Sequence, residues 1–197
     1  MDILETITTS RIEARKVGDP NADIAFLALS DQSGMPSVRT LVLREIRDNR
    51  FQVFLNQTSP KWRLLEATQG YELLLWFGSQ QRQFRIQGDI SQMDPDIIQK
   101  NWQRRPAGSK LLDYVYKEFA PQSSEIASRE DLTNEIARLR SSYNVDDMQA
   151  PKEALGIELI AQRIEMLNLT SEDRIHDRRL FKRDKANGTW KFTYLVP

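Results

Sequence analysis

The sequence predicts a mainly β fold with peripheral helices, a sheet curled toward a barrel rather than a parallel doubly wound sheet. Three observations predict it. Short apolar or alternating segments recur along the chain, clusters of turn residues separate them, and helices interrupt the strands without alternating strictly with them. With 197 residues and 40% hydrophobic content, the chain is sized for one domain with a sizeable core, so a single domain over residues 1–197 is expected.

Residues 3–16 carry apolar side chains at helical spacing and end before the turn-forming Gly18-Asp19-Pro20, which predicts an opening amphipathic helix. The period then shortens. Ala25 to Ser30, Ser37 to Ile46 and Phe51 to Leu55 read as strands separated by D-Q-S-G-M-P and R-D-N-R, a β-meander pattern. Ser59 to Thr68, followed by Gly70, predicts a short helix leaving the third strand. Tyr71 to Phe77 is a nearly continuous apolar strand. Gln83, Phe84, Arg85, Ile86, Gln87 and then Ile90 alternate instead, which puts Gln83, Arg85 and Gln87 on one polar face. Asp94 to Arg105, Ser109 to Tyr116 and Glu130 to Tyr143 predict a helical insertion over about 94–143, and N-V-D-D-M-Q-A-P-K-E-A-L after it reads as a mobile loop. Three strands close the chain within 156–197: Gly156 to Leu167, Arg179 to Lys182 and Trp190 to Leu195, the last two joined by a hairpin-type D-K-A-N-G.

Composition removes several classes of function. Lys plus Arg and Asp plus Glu both number 28, so no global basic field attracts nucleic acid or anionic membrane, and any anion site must be local. An oligonucleotide-binding barrel is disfavoured on the same ground. The absence of cysteine excludes disulfides, thiolate metal sites and cysteine nucleophiles, and agrees with a reducing, cytoplasmic setting. The charged N-terminal segment lacks the apolar core of a signal peptide, and the longest apolar runs fall far short of the roughly 20 residues of a membrane span. Redox chemistry would need a borrowed cofactor.

Three groups of residues have the means to carry chemistry. The single histidine lies in Arg174-Ile175-His176-Asp177-Arg178; if this stretch is extended, Arg174, His176 and Arg178 share a face, two fixed cations flanking one imidazole. That face suits an anionic ligand, or it is a solvated edge strand neutralised by Asp173 and Asp177. The second group is Arg39-Thr40-Leu41-Val42-Leu43-Arg44, with Thr40, Val42 and Arg44 on one face and Arg39, Leu41 and Leu43 on the other, joined by Lys61 at the start of the following helix, where backbone N–H groups favour phosphate. Charged strand ends are also common without a ligand. The third, Arg104-Arg105-Pro106-Ala107-Gly108-Ser109-Lys110, either grips a phosphate through Arg105 and Ser109 or ends a helix with cations that offset its dipole. The lone histidine makes no zinc site.

Together these segments resemble the pyridoxamine 5′-phosphate oxidase family. The most specific match is R-I-H-D-R, a short hairpin, then W-K-F-T-Y-L-V-P; R-T-L-V-L-R, V-F-L-N, R-Q-F-R-I-Q-G, R-P-x-x-S and P-Q-S-S agree in order and spacing, so the likeness runs from about Ala25 to Pro197. It implies an FMN-binding split β-barrel that forms a homodimer with FMN sites at the interface. Residue by residue, it implies that Arg39, Thr40, Leu41, Val42, Leu43 and Arg44 form the strand holding FMN, with Arg39 and Lys61 at its phosphate, Gln83 at the flavin ring, and Gln122, Ser123 and Arg178 completing the site. For the substrate, it implies Arg105 and Ser109 at the phosphate, Arg44 in contact, and Arg174 and His176 positioning the pyridine ring.

Departures accompany the likeness. Asn101 stands where the family has a tyrosine of the phosphate clamp, Leu167 where it has a tryptophan against the flavin, and Trp62 where it has a second basic phosphate ligand; the loop before Arg174 is one residue longer. The resemblance implies an oxidase for pyridoxamine or pyridoxine 5′-phosphate, small phosphorylated substrates. The departures keep open a flavin reductase-like enzyme with another substrate, and a non-catalytic protein that binds FMN or pyridoxal phosphate.

Overall fold

The computed structural model describes residues 2–169 and 174–197. The chain divides into two compact units: one formed by Met1–Val53, Ala67–Ser91 and Glu158–Pro197, the other by Phe54–Glu66 and Gln92–Ile157. Helix α1 (Ile3–Lys16) opens the first unit, with the Asp2 carboxylate accepting from the Leu4 and Glu5 N–H groups as its cap. Its bounds are those the sequence predicts. Strands β1 (Ile24–Ser30), β2 (Pro36–Val42), β3 (Glu45–Arg47) and β4 (Arg50–Asn56) follow, then α2 (Pro60–Thr68), β5 (Glu72–Phe77) and β6 (Arg82–Gln92). Helices α3 (Pro95–Gln103), α4 (Ala107–Glu118) and α5 (Arg129–Ser142) precede β7 (Ala154–Asn168), β8 (Asp177–Arg183) and β9 (Trp190–Tyr194).

The strands form one sheet in the order β2-β1-β5-β6-β7-β4-β3, with β8 on β7 and β9 on β8. Each pairing of known register is antiparallel. Ile7, Leu27, Leu73, Leu75, Phe77, Phe84, Ile86, Ile164 and Phe181 are fully or almost fully buried in the first unit, each worth about 1.5–3 kcal/mol of burial. In the second, Trp102, Leu111, Val115, Leu139 and Met148 form the core under α3, α4 and α5.

Two sequence expectations are corrected. The segment Ser37 to Ile46 is not one strand, because Leu43 donates its N–H to the Asp23 carbonyl at 2.9 Å and the buried Arg11 guanidinium takes the Leu43 carbonyl. Arg44 then donates to Gln52 at 2.9 Å, so the chain leaves β1 and resumes against β4. The loop expected to be mobile is pinned: the Met148 carbonyl accepts from Gln103 at 2.9 Å, the Gln149 carbonyl from Tyr114 at 3.1 Å, and Met148 is only 3% exposed. Among the described residues, no helix is long and apolar enough to cross a membrane.

Candidate functional site

In the second unit, a tight turn joins β4 to α2. Thr58 donates its N–H and hydroxyl to Asn56 Oδ1 at 2.9 and 2.7 Å, and Pro60 starts the helix with the fixed φ a first position favours. Lys61 therefore stands in the first turn, its Nζ donating to Ser59 Oγ at 2.7 Å and to Gln122 Oε1 at 3.2 Å. Gln122 in turn donates its N–H to Thr58 Oγ1 at 3.0 Å. Two of the residues singled out from the sequence are thus brought together, although 61 positions separate them. Ser123, beside them in the chain, is exposed and holds a left-handed φ of 70°.

A second cluster in the same unit surrounds Asp113. Its carboxylate is only 3% exposed, and its Oδ2 accepts from Trp102 Nε1 at 2.7 Å and from Arg105 Nη1. Burial pushes the Asp113 carboxyl above the usual range, against the opposing pull of Arg105 and Trp102. Burial likewise raises the Tyr116 phenol, with Asp113 adding to the rise. The Asn56 amide faces the same carboxylate, and Arg105 Nε is buried without a hydrogen-bond partner among the described residues. Ser109 lies in the first turn of α4, whose N-cap, Pro106, offers no side-chain cap. The other cations of this turn go elsewhere: Arg104 is exposed at the end of α3, and Lys110 is buried, its Nζ 5.3 Å from the Trp102 ring centroid.

In the first unit, β2 is an edge strand on which Ser37, Arg39 and Leu41 are half-buried while Val38, Thr40 and Val42 are exposed. This is the alternation the sequence predicts. Leu43 ends it with a buried side chain and with both backbone groups engaged, so it has only its neighbours to offer a ligand. Arg44 is exposed in the break after β2. Gln83, on β6, is half-buried opposite Trp76 of β5, on the polar face it shares with Arg85 and Gln87. Arg178 lies opposite Leu167 and donates to Glu165 at 2.9 Å; Glu165, 3% exposed, also draws Arg85 at 3.3 Å and Arg163 at 3.2 Å.

The expectation that Arg174, His176 and Arg178 share one strand face is corrected. Strand β8 begins only at Asp177, and Arg174 takes a left-handed φ of 58°, so side-chain alternation does not extend back to it. Asp177 pairs with Arg179 at 2.7 Å rather than with either of those arginines, and Asp173 and the extra residue of the preceding loop fall outside the described residues. His176 is half-buried. At the departures, Asn101 spends its amide on the Ile97 carbonyl of its own helix at 2.9 Å, and Trp62 is buried at 8% exposure. Asp113 and Glu165 are the two residues that sequence reasoning missed. Each is a buried acid whose partners lie on other elements or another turn, and no local pattern marks it.

The comparisons with known proteins agree with this architecture. Residues 4–94 match the family described as pyridoxamine 5′-phosphate oxidase, FMN-binding domain. The pyridoxine/pyridoxamine 5′-phosphate oxidase of Psychrobacter sp. (strain PRwf-1) is 31% identical over 186 residues, covering 94% of this chain and 85% of that protein. Its counterpart from Bartonella henselae is 31% identical over 195 residues, covering 98% and 88%. Among solved structures, PhzG from Burkholderia lata 383, in complex with tetrahydrophenazine-1-carboxylic acid, has a TM-score of 0.83 at 24% identity, covering 98% of this chain and 91% of that one. A pyridoxamine 5′-phosphate oxidase-related, FMN-binding protein from Nostoc punctiforme has a TM-score of 0.79 at 16% identity, covering 100% and 99%. The fold is the FMN-binding split barrel, the cofactor is FMN, and the chain belongs to the pyridoxine/pyridoxamine 5′-phosphate oxidase family of flavin oxidoreductases.

Proposed function

We propose that the protein is an FMN-dependent oxidase for a vitamin B6-type pyridine, with pyridoxine or pyridoxamine 5′-phosphate as the first substrates to test. The observation that carries this reading is the donor cluster at the start of α2, where Lys61, Ser59 and Gln122 converge on a helix N-terminus. A fixed cation beside helix N–H groups fits a phosphate-bearing cofactor. When bound, FMN supplies a flavin N5 that accepts hydride from the substrate C4′ carbon and returns the electrons to dioxygen. The protein's part is placement. Arg39, Lys61, Gln122, Ser123 and Arg178 hold the cofactor, with Thr40, Leu41, Val42 and Gln83 along the flavin. Arg174 and His176 orient the pyridine ring, Arg105 and Ser109 hold the substrate's far end, and Arg44 adds a contact. The exposed edge strand β2, with Val38 60% and Val42 45% exposed, supports a homodimer through this face.

A second reading keeps FMN and changes the substrate, and one observation favours it: Arg105 is already engaged by Asp113 while Asn101 turns back onto its own helix. The two readings separate in an anaerobic titration of the FMN-loaded protein with pyridoxine 5′-phosphate. Rapid bleaching of the oxidised flavin band, reversed by air, is the expected result. A band that persists rejects this substrate and leaves the second reading.

Replacing Arg39 by alanine removes a charge-assisted phosphate contact worth about 1.5–3 kcal/mol, so FMN affinity should fall roughly 10- to 100-fold. Fluorescence titration of apoprotein with FMN measures it. Unchanged affinity would mean that the cofactor phosphate lies elsewhere.

A further inference from the structure

We infer that Asp113 is a specificity-determining residue: by pairing with Arg105 it makes the far end of the substrate site rich in hydrogen-bond donors but poor in charge, suited to a neutral or singly negative group rather than a phosphate dianion. This rests on the reading that Arg105 faces substrate. Two observations in the second unit carry it.

The first is charge. Arg105 and Asp113 are in contact, the carboxylate 3% and the guanidinium 21% exposed, so little water screens the pair. Opposite charges in contact act on a third group as a dipole, whose field falls off faster than that of a free cation. A dianion approaching the open side of Arg105 gains from the guanidinium and loses to the carboxylate behind it. Of the neighbours, Trp102, Asn56 and Tyr116 are neutral, and the two nearby cations are turned to other groups: Lys110 lies over the Trp102 ring and toward Gln103, and Lys61 donates to Ser59 and Gln122.

The second is unmet hydrogen bonding. Arg105 buries one donor, Nε, with no partner among the described residues, while the Asn56 amide beside it, 2% exposed, is turned to the Asp113 carboxylate. Buried donors are rarely left unpaired in folded proteins, so an acceptor is wanted at this place. An amide or carboxylate oxygen, or a hydroxyl, satisfies it. A dianion would bring charge that this cluster has already cancelled.

The test uses the FMN-loaded protein and two unreactive pyridines, 4-deoxypyridoxine and its 5′-phosphate, titrated by their perturbation of the flavin spectrum. In the wild-type protein their dissociation constants should agree within about threefold. Asp113→Asn keeps an oxygen to accept from Trp102 but removes the charge; it should tighten the phosphate ester alone, by about tenfold or more. A wild-type preference for the phosphate ester of that size overturns the inference. So does an Asp113→Asn ratio that is unchanged or lower, which would make Asp113 a residue that merely steadies Arg105. If neither pyridine binds wild-type protein, the vitamin B6 reading has failed by itself. Calorimetry with inorganic phosphate then decides: binding gained on Asp113→Asn supports the inference, and no gain overturns it.

Discussion

Alanine at Gly88 should destabilise the protein by about 3 kcal/mol or more, a fall in Tm of roughly 6–12 °C for a chain of this size. A Cβ at Gly88 would stand 1.9 Å from the Ile160 carbonyl oxygen and 2.7 Å from the Gln162 nitrogen. These are backbone atoms of β7, next to β6 in the sheet, and no side-chain rotation relieves the clash. The two strands must part by more than an atomic overlap, and the ladder there is lost. Gly108 is the matched control. Nothing lies within 4 Å of a Cβ there, and in the first turn of α4 alanine should raise stability by up to about 1 kcal/mol, because the glycine loses more backbone freedom on folding. Thermal unfolding followed by circular dichroism reads both variants, and opposite signs are expected. A Gly88→Ala protein as stable as its parent would show that β6 and β7 do not approach so closely.

Gly88 also illustrates what the sequence conceals. It lies within the alternating run from Gln83 to Ile90, whose pattern correctly assigns Phe84 and Ile86 to the core, but nothing local in that pattern shows how closely β7 approaches the glycine. Local signals served well where the structure is local. The bounds of α1, the Pro60 start of α2 and the half-buried side of β2 all follow from spacing and capping. Distant partners defeated the same reasoning. The break at Leu43 depends on Arg11, 32 residues earlier, and the loop that reads as mobile is fastened by α3 and α4 side chains. The candidate site divides in the same way. Lys61 and Gln122 were legible through family motifs and do meet, whereas Asp113 and Glu165, which set the charge seen by Arg105 and Arg178, became visible only once burial and register were known. A carboxylate that cancels an arginine leaves no mark on a motif made of arginines.

Arg174→Ala should spare the cofactor and cost turnover, with kcat/KM falling about 100-fold for whichever donor bleaches the flavin, since misplacing a reactant by about 1 Å costs that much. Arg174 is exposed and precedes β8, so its removal disturbs neither the core nor a described ion pair. It nonetheless holds a left-handed φ of 58°, a conformation that costs a non-glycine residue of order 1–3 kcal/mol and persists only where the surroundings impose it. Such cost at an exposed arginine, two residues before the single histidine, fits a side chain aimed at a ligand. Arg178, proposed to hold the cofactor, is by contrast positioned on its strand by the buried Glu165. The two arginines should therefore separate experimentally: flavin content per chain stays at the wild-type level in Arg174→Ala while single-turnover bleaching slows. Loss of flavin from Arg174→Ala would assign Arg174 to the cofactor instead, and unchanged bleaching would leave ring placement to His176.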